Sequence, residues 1–111
     1  MSSKLYPVIR IQKIGNTTLH TECMGVFDMQ YKALGFILEH CINAASVYPN
    51  RFEYSKPILN DYAYTGDALS YWIYRIEAQD KRDMDKNIDF YVLQTDISDL
   101  SSTYKFIEGK E

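Results

Sequence analysis

DMQYKALGFILEHCINAASVY, residues 28–48, decides the fold, because no other long stretch of the chain repeats its apolar residues at helical spacing. Tyr31, Leu34, Ile37, Leu38, Cys41, Ile42, Ala45 and Tyr48 step by three or four residues. On a helix of 3.6 residues per turn that spacing gathers them on one broad face, the expected core stripe. Lys32, Gly35, Glu39, Asn43 and Ser46 fall on the other side. Asp28 offers an N-cap carboxylate to the orphan N–H groups of the first turn, and Pro49-Asn50 ends the helix. Four residues break this amphipathic pattern: Met29, Phe36, His40 and Val47 sit opposite the stripe. That side is expected either to lie beneath the irregular segment that follows or to meet a partner.

Before the helix, residues 5–14 and 18–26 form two strands around Gly15-Asn16-Thr17. Gly-Asn suits a two-residue hairpin turn. The side-chain pattern favours a three-residue loop, which sets Arg10 opposite Glu22 and Gln12 opposite His20. It also groups Ile9, Ile11, Leu19, Thr21 and Cys23 on the other face; a one-residue slip would mix the two sets. Pro7 donates no ladder hydrogen bond, so the first strand is expected to begin there or to run at an edge.

Residues 49–67 show neither period, and Asn50, Pro57, Asn60-Asp61 and Gly66-Asp67 punctuate them. Phe52, Tyr54, Ile58, Leu59, Tyr62 and Tyr64 keep this stretch from reading as a solvated linker, and a short strand is expected within residues 61–65. Residues 68–78 fit a helix through Leu69, Trp72, Ile73 and Ile76 with Asp67 as cap, but their aromatic and β-branched residues, matched by 87–97 across the polar run 79–86, favour a second hairpin. A short last helix follows Ser98-Asp99, carrying Leu100, Tyr104 and Ile107. The expected fold is a single α+β domain over residues 1–111. An antiparallel sheet of about four strands, in ββα–ββα order, has one face covered by the long helix.

Composition narrows function mostly by exclusion. Hydrophobic residues are 46% and charged residues 24%, the balance of an ordinary globular domain. The net charge of −3 has the wrong sign for phosphate backbones, so nucleic acid is not an expected partner. No apolar run reaches the length of a membrane span or signal peptide, which points to the cytoplasm and no membrane. There Cys23 and Cys41, both assigned to the core, would be reduced thiols.

The chemical motifs each fail at a decisive position. Asp83, Asp85, Asn87 and Asp89 copy the opening of a calcium loop, but Ile88 stands where Gly is needed and Gln94 where the closing Glu belongs. His20 and Cys23 point to opposite faces of a strand, and His40 and Cys41 diverge by about 100° on a helix, so no zinc ligand set converges. No Gly-rich loop precedes the helix, and no nucleophile, base and carboxylate set is marked out. No cofactor, metal or catalytic residue is therefore assigned.

Tyrosine remains: ten of the 111 residues, beside five Phe and one Trp. Tyrosine brings large contact area and a hydroxyl at low entropy cost, the chemistry of recognition surfaces. Short, acidic, aromatic-rich and without motifs, the chain is similar in general character to inhibitor and immunity-type proteins of phages and mobile elements. The expectation is a non-enzymatic interaction domain with another protein, or a second copy of itself, as partner. The expected binding residues are Phe36, His40, Phe52, Tyr54, Tyr62 and Tyr64. The alternative is a small-ligand or enzymatic domain with a tyrosine-lined pocket between helix and sheet.

Overall fold

In the computed structural model, the structure describes residues 4–60 and 72–96. Strands β1 (Lys4–Ile14) and β2 (Thr17–Phe27) precede helix α1 (Gln30–Val47); β3 (Phe52–Tyr54), β4 (Ile58–Leu59), β5 (Trp72–Asp80), β6 (Lys86–Leu93) and β7 (Thr95–Asp96) follow. The α+β class and antiparallel pairing agree with expectation. The strand number does not. Six strands join in one antiparallel sheet, β2–β1–β6–β5–β3, with β4 beside β3 on the outer edge of β5. The two-residue β7 pairs separately with Lys4 and Leu5. The extra strands are two or three residues long, too short to show a period. The expected strand at 61–65 and the last helix lie outside the described residues.

Both cues at the first hairpin hold, and a bulge reconciles them. Arg10 faces Glu22 and Gln12 faces His20, while Ile14 pairs with Thr17 across the two-residue turn Gly15-Asn16. The three-residue loop is therefore wrong although its register is right: the ladder slips between Gln12 and Lys13, leaving Leu19 as the extra residue. Gly15 has φ +59°, a conformation that L side chains rarely adopt, and its N–H donates to the Asp85 carbonyl at 2.8 Å. That bond ties the tip of the first hairpin to the tip of the second.

Pro7 does not mark an edge. Strand β1 starts at Lys4 and lies between β2 and β6. Pro7 falls between the β7 ladder, ending at Leu5, and the β6 ladder, starting at Val8, where an N–H is dispensable.

The helix also begins later than expected. Its N-cap is Met29, without a side-chain cap, and Asp28 instead reaches Lys32 at 3.1 Å. Ala33, Ile37 and Cys41 are the residues it buries, with Leu34, Phe36, His40 and Ala44 half-buried. This face is rotated from the expected stripe: it keeps Leu34, Ile37 and Cys41, but Tyr31, Leu38, Ile42 and Tyr48 are 62%, 40%, 68% and 54% exposed. Phe36 and His40, expected on the outside, look toward the sheet, while Met29 and Val47 are exposed. The contact face mixes small residues, Ala33, Cys41 and Ala44, with the larger Leu34, Phe36, Ile37 and His40.

Under it, Ala33, Ile37 and Cys41 share a cluster with Val8, Ile76, Ala78, Phe90 and Val92. Burying an Ile such as Ile37 contributes roughly 1.5–3 kcal/mol. Ile9, Ile11, Tyr91 and Leu93, with Trp72, form a second cluster on the opposite face, so the sheet centre is buried on both sides. Among the described residues, no helix is long and apolar enough to cross a membrane.

Candidate functional site

Along β1 the residues facing the helix change character. Tyr6 and Val8 are apolar; Arg10 and Gln12, the next two on that face, are polar. A guanidinium cannot be sealed into an apolar core at acceptable cost. Helix and sheet therefore do not close at this end. A cleft of about 360 Å³ opens between the C-terminal half of α1 and the sheet. Arg10 and Gln12 form its floor with Ile88, Phe90 and Ala78; His40, Cys41, Ala44 and Tyr48 form the helix wall; Arg51, Phe52 and Tyr54 close the third side.

The third wall exists because the chain reverses sharply after α1. Tyr48 N–H donates to the Ala44 carbonyl at 2.8 Å, and Asn50 takes φ 63°, a left-handed conformation that Asn tolerates. Strand β3 then pairs Phe52 with Asp80 and Tyr54 with Ala78, setting both rings on the helix side of the sheet.

Arg51 sits at the mouth. Its guanidinium lies 5.6 Å from the Tyr48 ring centre and 5.4 Å from that of Phe52. Such contacts contribute about 0.5–1 kcal/mol each at exposed sites. Its Nε is 3.9 Å from Asp80 Oδ2, and its carbonyl accepts from Lys81 N–H at 2.8 Å. Asp80 is buried, and its Oδ1 accepts from Arg82 N–H at 2.8 Å. Arg10 reaches Glu22 at 3.3 Å. The His40 ring stands edge-on to Phe90 with centres 5.6 Å apart, and the Phe52 and Tyr54 rings are 6.2 Å apart.

Two groups in the walls are shifted. Burial pushes the Cys41 thiol up to about 11, which keeps it protonated and a poor nucleophile at neutral pH. Burial, and then the neighbouring Cys41, raise Tyr54 as well, so its hydroxyl stays a hydrogen-bond donor. The cleft therefore presents two cations, four aromatic rings and neutral donors, a surface suited to a ligand with an apolar body and an anionic edge.

Of the residues expected to bind, His40, Phe52 and Tyr54 come together in this cleft. Phe36 does not: it packs on Phe27 with ring centres 5.2 Å apart. Tyr62 and Tyr64 lie outside the described residues. Arg10, Gln12, Tyr48 and Arg51 were missed, although Arg10 and Gln12 carried a signal as the polar members of an otherwise apolar alternation.

The other constellations disperse. Asp89 is buried on the far face against Lys13 at 3.4 Å, and Asp83 Oδ1 accepts from Asp85 N–H within the hairpin turn. Among the described residues, no three His, Cys, Asp or Glu side chains are grouped to hold a metal ion. Cys23, expected in the core, is exposed beside Ile9 on the face away from the helix, whereas Cys41, on α1, is buried against the sheet's other face. A disulfide between them is ruled out by the sheet that separates them. No family model matches the chain, and no curated protein or solved structure matches it either.

Proposed function

We propose that this chain is a non-enzymatic interaction domain of inhibitor or immunity type, such as phages and mobile elements encode, and that it grips a partner protein through the helix–sheet cleft. One observation carries the reading: Arg51, bracketed by Tyr48 and Phe52, stands at the mouth of a cavity that also holds His40, Tyr54 and Arg10. Tyrosine and arginine in a partly enclosed pocket are the residue types that dominate binding energy at protein interfaces. The cations favour a partner segment that brings an apolar or aromatic side chain flanked by a carboxylate.

The test is affinity capture from native lysate with the wild-type chain and with Arg51→Ala and Tyr54→Ala. A partner held by wild type and lost from both variants supports the proposal. A partner held equally by all three refutes it.

A second reading, a small-ligand site, is favoured by the cavity itself, since about 360 Å³ lies within the roughly 300–1,000 Å³ of ligand pockets. A bound small mass seen on the purified wild-type chain by native mass spectrometry, and lost in Arg51→Ala, would favour it instead.

A further inference from the structure

The outward ridge of α1 is apolar. Tyr31, Gly35, Leu38 and Ile42 advance by four, three and four residues, so they stay within a narrow strip on the side away from the sheet. Tyr31 is 62% exposed, Leu38 40% and Ile42 68%. A Cβ added at Gly35 would meet nothing within 4 Å, so the strip has an open hollow at its middle.

In an antiparallel pair about a two-fold axis, this order complements itself. Tyr31 meets Ile42 of the other copy, and Leu38 fits the Gly35 hollow, twice each. The flanking charges choose the same orientation. Lys32 and Glu39 lie seven residues apart on one flank, and antiparallel helices bring like flanks together, so each Lys32 reaches the other copy's Glu39. In a parallel pair that flank would face the uncharged one. Lys32 already contacts Asp28 at 3.1 Å, while Glu39 has no ion-pair partner among the described residues.

We propose that the protein forms a two-fold homodimer through the outer face of α1, with the helices antiparallel. One helix pair is smaller than the roughly 800 Å² per partner of a standard interface, so association is expected in the micromolar range. The site is separate from the cleft, which lies on the opposite side of the same helix.

Sedimentation equilibrium of the whole chain, in reductant so that exposed Cys23 cannot cross-link, reads the outcome. Wild type should pass from monomer to dimer as concentration rises through the micromolar range. Ile42→Glu, at a position exposed enough to leave the fold intact by circular dichroism, should stay monomeric. Lys32→Glu converts two attractions into two repulsions and should weaken the dimer about tenfold. Combining it with Glu39→Lys should restore wild-type association. A chain monomeric at every concentration, a dimer indifferent to Ile42→Glu, or a double variant no better than Lys32→Glu would each overturn the proposal. Partner capture through the cleft should survive in Ile42→Glu, which keeps the two readings distinguishable.

Discussion

At the N-terminal half of α1, Ala33 and Ile37 pack with Val8, Ile76 and Val92, and all five are at most 1% exposed. Little more than a turn further on, His40 and Ala44 stand over Arg10, Gln12 and Ile88, and a cleft is open. The same helix and the same sheet make both halves. What differs is two side chains on β1: Val8 can be sealed in and Arg10 cannot, because a guanidinium needs water or a partner. The closed half is packed core, and the open half is the cleft through which binding is proposed.

The largest effect that follows is on folding. Ile37→Ala should cost about 2–5 kcal/mol, read as a fall in urea midpoint, because it empties a site from which water is excluded. Arg51→Ala, on a side chain 45% exposed and held by two ring contacts and a 3.9 Å ion pair, should cost less, about 1–2 kcal/mol. Equal losses would erase the distinction between the halves.

The cysteines sharpen the same contrast. Exposed Cys23 should react with a thiol reagent at the rate of a free thiol, and Cys41 only as the fold opens. Rapid reaction at both would mean that Cys41 is reached through the cleft and is not buried.

A smaller effect lies in alkaline solution. Burial raises Cys41 from its ordinary 9.0 to about 11. Below pH 9 both folded and unfolded chains hold this proton, and stability is unaffected. Between pH 9 and about 11 the unfolded chain releases it while the folded chain keeps it, so stability falls as pH rises. Tyr54 and Tyr91, both raised by burial first, act in the same direction. Cys41→Ala should flatten part of that decline; an unchanged slope in chemical denaturation would contradict the burial.

Much of this was legible in the chain. The helix, both hairpins and the Arg10–Glu22 register follow from period and turn chemistry, because alternation and helical spacing act over many residues at once. The buried face of the helix was legible only in part. Ile37 and Cys41 of the expected stripe are buried, but Tyr31, Leu38 and Ile42 are larger and more apolar than Ala33 and Ala44, so hydrophobicity alone centres the stripe too far round the helix. Which side of the helix is buried is set by the strands it packs on, and those are distant in sequence. For the same reason His40 was legible as an outlier and its setting was not: its place in the cleft depends on β3, a three-residue strand in a segment without period.

The most direct measurement pairs two quantities on two variants: partner affinity and melting temperature for Tyr54→Ala and for Ile37→Val. If the open half binds and the closed half stabilises, Tyr54→Ala should weaken the partner that wild type captures at least tenfold, about 1.4 kcal/mol, beyond the modest fall in melting temperature that truncating a half-buried ring brings. Ile37→Val should lower the melting temperature by a few degrees, through about 0.5–1.5 kcal/mol, and leave affinity intact. Loss of stability with unchanged affinity in Tyr54→Ala would contradict the account and move the binding surface away from the cleft.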